Sequence, residues 1–226
     1  MEILTRRFLL RDFVESDRSA FLDYQADPRN LVFYSPNESS PDHPLRLFEM
    51  FQAWAGERPR LNYQLAIVQR QKPYALVGCC GLRGRSFAAG EMELGLELAP
   101  TYWGHYAYAI EVGRALLDFG FRELQLDAIS GPTISANIRI AKLAKWMGAE
   151  VVAIRPGAEW MSDCARRRLR QRGWSEVHWR IAREQWHRST TASRWSIESK
   201  MLLMVGESVH SLGNTNEFNY STNCAG

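Results

Sequence analysis

Apolar and polar positions repeat at two periods along this chain, and the changes between them mark its elements. Residues 3–11 alternate as a strand does and end at Asp12. Ser16-Asp17 then opens a helical spacing that carries Phe21, Leu22 and Tyr24 and stops at Asp27-Pro28. A turn-rich stretch, 36–44, precedes a second helix whose apolar face is Leu45, Leu47, Phe48, Met50, Phe51 and Trp54, closed by Gly56 and Pro59. Strands are predicted at 63–68, 75–82 and 91–99, with turns at 69–73 and 84–90. A helix over 108–124 gathers Val112, Ala115, Leu116, Phe119 and Gly120 on one side. A strand at 127–134, a helix at 137–147, a strand at Glu150–Arg155, a last strand at 176–181 and a short helical turn around Gln185 and Trp186 complete the pattern. The order β α α β β β α β α β β predicts an α/β (α+β) fold, a mixed, mostly antiparallel central sheet of six or seven strands flanked by helices.

Residues 1–190 read as one domain in which 156–173 is a basic insertion, and 191–226 as an irregular tail, rich in Ser, Asn, Thr and Gly from Gly206 onward. Composition agrees: 226 residues, 46% hydrophobic and 23% charged, are enough to bury a sizeable core and are neither disordered nor fibrous. No apolar run approaches the roughly 18 residues of a membrane span, and the opening residues carry no signal-peptide pattern. Cys79, Cys80, Cys164 and Cys224 include an adjacent pair and no CxxC, which argues against zinc and against a disulfide framework and for reduced thiols in the cytoplasm. The net charge of +3 is local: 1–155 is neutral, 156–190 carries +4 and 191–226 carries −1. A whole-molecule nucleic-acid binder is therefore not indicated. Arg166, Arg167, Arg168, Arg170 and Arg172 read as a solvated helix face, with contact to RNA or to a ligand phosphate as the alternative.

The stretch with most chemical content runs from Glu91 to Glu111: a strand, a short loop of small and aromatic residues, and a helix. Such a loop leaves backbone N–H groups unpaired at the positive end of a helix dipole, where a phosphate or pyrophosphate binds; a plain strand–helix connection is the alternative. Glu91, Glu93 and Glu97 stand at even spacing and so project from one strand face, as a general base or as solvated, salt-bridged carboxylates. Asn137 opens the next helix as a natural N-cap. Cys79 and Cys80 are explained as small buried hydrophobes, and His178 as structural. No Ser/His/Asp arrangement and no metal-ligand spacing is present, so no metal is expected.

Glu-Leu-Gly-Leu-Glu-Leu-Ala-Pro-Thr-Tyr-Trp-Gly at 93–104, Tyr-Ala-x-Glu at 108–111 and Ala-Leu-Leu-Asp-Phe-Gly-Phe-Arg-Glu-Leu-x-Leu at 115–126 resemble the GNAT acyltransferases, and within them the ribosomal-protein N-terminal acetyltransferase (RimJ/RimL) branch. Asn137 with Gly148, and the opening 5–11, are similar to the same branch, so the likeness covers about 3–187. The resemblance implies acetyl-CoA as co-substrate, with its pyrophosphate on the loop Gly104, His105, Tyr106, Ala107, Tyr108 and Ala109. It also implies that the fourth predicted strand splays from the fifth, and that the pantetheine arm pairs with backbone at Leu96 and Leu98 in the gap. One of those N–H groups would then act as oxyanion donor, and Asn137 would reach the pantetheine or the acceptor. The family's acidic position falls on Glu93, with Glu97 next, and the acceptor would sit against Phe33, Tyr34 and Asn37. The chain departs from the pattern at Ala107 (a family glycine), Ile140 (a serine) and Ala144 (often a tyrosine). The expected activity is N-acetylation of a primary amine, a small cation such as an aminoglycoside or polyamine or a protein N-terminus, by direct attack in a ternary complex. The alternative is a CoA-binding or RNA-docking module with little turnover. A homodimer is implied by the resemblance alone.

Overall fold

The computed structural model describes residues 1–30, 40–84, 89–155 and 173–192, the last four of these by backbone alone. The acceptor-side residues Phe33, Tyr34 and Asn37, nearly all of the basic insertion and the tail from 193 lie outside the described residues. The chain divides into two units, Met1–Ser189 and Thr190–Gly226, and the sheet and cavity belong to the first.

Eight strands form one mixed sheet: β1 (Glu2–Leu4), β2 (Phe8–Arg11), β3 (Asn62–Gln69), β4 (Leu76–Arg83), β5 (Glu91–Leu98), β6 (Ala128–Ile134), β7 (Glu150–Arg155) and β8 (Glu176–Ala182), in the order β1-β2-β3-β4-β5-β6-β8-β7. Every pairing is antiparallel except β5 with β6. The strand beyond the expected number comes from the N-terminus, where a single strand over 3–11 is in fact a hairpin. Thr5 turns the chain: its hydroxyl accepts the Phe8 N–H at 2.9 Å and its own N–H donates to the Phe8 C=O at 2.9 Å, which pairs Glu2 with Arg11. A side chain that bonds its own turn replaces ladder pairing, and alternation alone does not reveal it.

The helices are α1 (Arg18–Gln25), α2 (His43–Ala55, with Pro44 in its first turn), α3 (Tyr106–Asp118), α4 (Ile138–Trp146) and α5 (Arg183–Ala192). Register assigns each strand residue a face. Val68, Ala66 and Cys79 share one face, on which Phe13, Phe21, Tyr24, Phe48 and Phe51 from α1, α2 and the segment before them build an aromatic core. The rings of Phe13 and Phe21 meet edge to face at 5.2 Å. Leu82, Leu94, Leu96 and Ile129 share the opposite face, under α3 and α4. Gly113 in α3 and Gly120 in the turn after it permit close packing there: a Cβ at Gly120 would lie 2.6 Å from Ile129 Cδ1, and one at Gly113 would lie 2.9 Å from Met147 Sδ. The first face is polar where α1 and α2 no longer cover it, carrying Arg83, Glu91, Glu93, Ser130 and Arg180. None of the described helices is long and apolar enough to cross a membrane.

Candidate active site

The site begins where β5 loses its parallel neighbour. Pairing of β5 with β6 ends at Glu93 opposite Ser130. The sequence contains the reason. Ala128 N–H donates to Gly90 C=O at 3.3 Å, and two steps of two residues along both strands place residue 132 opposite Leu94 C=O. Residue 132 is proline and has no N–H to give, so the ladder stops. On its other side β5 stays paired. Ala99 N–H bonds Val77 C=O at 2.9 Å, which sets the phase so that Glu93, Gly95 and Glu97 bond to β4. The Leu94 C=O and the backbone polar groups of Leu96 and Leu98 therefore turn into the gap, where Leu98 C=O receives the Trp103 indole N–H at 2.8 Å.

The gap opens into a cavity of about 250 Å³, lined among others by Leu96, Glu97, Leu98, Gly104, His105, Tyr106, Ala109 and Asn137. That volume lies below the roughly 300–1,000 Å³ of a drug-sized site, so it suits a narrow arm and a small amine rather than a whole nucleotide. At one wall α3 begins. Gly104 has φ +88°, a left-handed backbone that glycine adopts without strain, and a Cβ there would meet nothing within 4 Å. Its N–H and that of Ala107 have no hydrogen-bond partner among the described residues, whereas Tyr106 N–H and Tyr108 N–H are used within the turn. Open backbone donors at the positive end of a 13-residue helix fit an anionic group. Ala107 and Tyr108 do not line the cavity. Tyr108 is a pillar: its ring stacks on His105 at 4.9 Å and meets Phe8 edge-on at 4.8 Å. Opposite, Asn137 Oδ1 accepts the Ile140 N–H at 3.3 Å, capping α4, and the residue lines the cavity as well.

The two carboxylates expected to act are separated by the structure. Glu93 forms an ion pair with Arg83 at 2.5 Å and does not line the cavity. Gly95 between them makes this possible, because a Cβ there would lie 2.7 Å from the Arg83 guanidinium nitrogen. Glu91 faces Arg180 at 3.5 Å. Glu97 does line the cavity, and its Oε1 accepts the amide N–H groups of buried Gln25 and, at 3.4 Å, of buried Asn30. Cys79 stands across the ladder from Glu97; burial, and then the charge of Glu97, push its thiol up to about 12. Burial likewise raises Cys80 and Tyr24. Neither cysteine is a thiolate at neutral pH, so neither is a nucleophile. His178 binds Glu176 at 2.7 Å in β8.

Sequence reasoning missed Arg29, Asn30, Trp103, Arg139, Ile140 and Leu143, which also line the cavity. Ile140 and Leu143 stand three and six places after Asn137, so helical spacing would have placed them on its side of α4. Asn30 follows the end of α1 and carries no local signal; only tertiary packing brings it to Glu97.

Comparisons with known proteins agree with this geometry. A family model described as an acetyltransferase (GNAT) domain matches residues 7–150. A protein of Bacillus subtilis named as uncharacterized N-acetyltransferase YnaD is 25% identical over 192 residues, which cover 83% of this chain and 100% of that one. Among solved structures, a GNAT-family acetyltransferase from Bacillus anthracis superposes with a TM-score of 0.65 at 20% identity, covering 81% of this chain and 99% of that one. The spermidine N-acetyltransferase of Vibrio cholerae, solved with CoA and spermine, superposes with a TM-score of 0.62 at 14% identity, covering 79% of this chain and 97% of that one. These structural likenesses extend to the fold.

Proposed function

We propose, for a chain that belongs to the GNAT acetyltransferase family and is an N-acetyltransferase, that it acetylates a cationic primary amine held against Glu97, in a ternary complex with acetyl-CoA and without an acyl-enzyme. The observation that carries this reading is the gap beside β5, which has open backbone donors at one end and a buttressed carboxylate in its wall. Acetyl-CoA supplies an acetyl group activated as a thioester. The chain supplies the rest. Gly104 and Ala107 N–H groups, with His105, Tyr106 and Ala109 around them, hold the pyrophosphate at the start of α3. The Leu96 and Leu98 backbone holds the pantetheine amides in place of the missing β6 rungs, and one of these N–H groups draws charge onto the thioester oxygen. Asn137 steadies the same arm from α4.

An alkyl ammonium has a pKa of about 10.4 and no lone pair for attack, so it must give up a proton at neutral pH. Glu97 attracts the ammonium and takes that proton, directly or through one water. The amine nitrogen then bonds to the carbonyl carbon as the C–S bond breaks and gives up its second proton to solvent, and the thiolate leaves as CoA and is protonated by solvent in turn. Ile140 and Ala144, where the pattern of the resemblance has Ser and Tyr, offer no acid for that thiolate, and positioning supplies the catalysis. The stretch 93–104 resembles the RimJ/RimL branch. A protein N-terminus therefore belongs among the candidate acceptors, beside polyamines and aminoglycosides, and the cytoplasm is the expected compartment.

The test pairs calorimetric titration of acetyl-CoA with thiol release across a panel of polyamines, aminoglycosides and peptides. One-to-one binding, with release on cationic amines only, is the expected result. Binding without release on any amine would leave a CoA-binding module, and absence of binding would sink the reading of the loop.

A further inference from the structure

We propose, resting on the reading above, that the preferred acceptor is an α-amino acid, whose carboxylate Arg83 holds while its ammonium lies against Glu97. The observation is where the Arg83 side chain goes. In the register of β4 with β5, Arg83 stands opposite Glu93, Gly81 opposite Gly95 and Cys79 opposite Glu97, all on one sheet face. Arg83 Nη2 donates to Glu93 Oε1 at 2.5 Å, but the side chain leans along the strand to do so. A Cβ on Gly95 would lie 2.7 Å from Nη2 and 3.3 Å from Cζ. The positive group therefore rests on the bare backbone of the residue midway between the two glutamates.

Arg83 has donors to spare in that position. Its side chain is 36% exposed, its Nε has no hydrogen-bond partner, and Glu93 is its one ionic partner among the described residues. A guanidinium carries five N–H donors in a planar fork whose shape matches a carboxylate. Glu93 takes one of them, from one nitrogen. The face on which this fork lies is the one that α1 and α2 leave uncovered, and Glu97 belongs both to it and to the cavity wall. An acceptor can thus lie on the face while the arm of acetyl-CoA fills the gap.

Charge then decides what that acceptor carries beside its amine. Along β5 on this face stand Glu93, negative; Arg83 above Gly95, positive; and Glu97, negative. Gly95 and Glu97 are separated by about 7 Å, the rise of two strand residues. A second ammonium next to the first, as in a polyamine, would meet the guanidinium as a like charge. A carboxylate there completes an alternating row of five groups: Glu93, Arg83, carboxylate, ammonium, Glu97. The spacing also limits the spacer. Two charge-assisted hydrogen bonds of about 2.8 Å each take up most of the distance, which leaves the anion on the carbon next to the amine rather than at the end of a chain.

The test measures thiol release with a set of α-amino acids, each paired with its amide, at saturating acetyl-CoA. The acids are expected to exceed their amides in kcat/KM by about tenfold, through KM, the scale of one hydrogen bond to a charged group. β- and γ-amino acids should fall away as the spacer lengthens. Arg83→Gln should bring each acid to the level of its amide. Arg83→Lys keeps the charge without the fork and should restore part of the preference. Acetyl-CoA binding checks that each variant is folded, since Arg83 does not line the cavity. Acids and amides used alike, a γ-amino acid or a polyamine preferred, or acid and amide lowered equally in Arg83→Gln would each overturn the inference and leave acetyl transfer standing. Release on no amine at all would sink both.

Discussion

From Glu91 to Glu93, strand β5 is paired with β6, at Glu93 with β4 as well, and its carboxylates face the guanidinium groups of Arg180 and Arg83. From Leu94 to Leu98 it is bonded on one side only, and its carboxylate, Glu97, accepts from the neutral amides of Gln25 and Asn30. Residue type, strand and face are the same in both halves. What differs is what stands across from them: arginine on the next strand in one half, a proline-terminated ladder and a cavity in the other. The first half meets cations across the sheet, whereas Glu97 accepts from amides and lines a cavity that a ligand can enter. The contrast teaches that the open half of β5, not its acidic pattern, lines the candidate site.

The largest expected effect comes from exchanging the two carboxylates' fates. Glu97→Gln should lower kcat/KM for the amine by about 10² or more, the usual scale for a general base, while calorimetry finds acetyl-CoA affinity unchanged. Glu93→Gln should stay within about threefold of wild type, since its partner is Arg83. The reverse ranking would return the base to Glu93. A smaller effect tests why the halves differ. Pro132→Ala restores an N–H opposite Leu94 C=O, so one more rung can form and narrow the gap. One hydrogen bond corresponds to about five- to tenfold in acetyl-CoA affinity, and the melting temperature should hold or rise. An unchanged affinity would mean that something other than the proline holds the strands apart.

Gln25→Leu should cost about fivefold in kcat, with acetyl-CoA affinity kept, by removing one of the donors that orient Glu97. Equal losses in both would instead indicate a disturbed wall. Least of all should follow from Cys79→Ala. With its thiol held near 12 by burial, Cys79 contributes no thiolate, and turnover is expected within about twofold of wild type. Loss of activity there would give the Cys79 thiol a part in the reaction.

Much of this was legible in the chain. The periods of Phe48, Phe51 and Trp54, or of Val112 and Leu116, place their helices, and the loop at Gly104 announces itself by composition and its place between strand and helix. The hairpin at Thr5 was not, because a side-chain hydrogen bond made it and the alternation runs through it undisturbed. Which of Glu93 and Glu97 lines the cavity was not either. Arg83 claims Glu93 across β4, through the space left by Gly95, and a cross-strand claim depends on register, which one strand does not carry. Pro132 is an intermediate case. It is plain in the sequence, yet its meaning as the end of a ladder exists only once Leu94 is known to lie opposite.

Trp103 has a consequence of its own. Its indole N–H holds Leu98 C=O while Arg139 from α4 lies over its ring at 4.9 Å, so one side chain touches both jaws of the opening. It works as a gauge block between them, so on the proposed reading a smaller side chain at Trp103 should widen the mouth and admit longer or branched acyl groups.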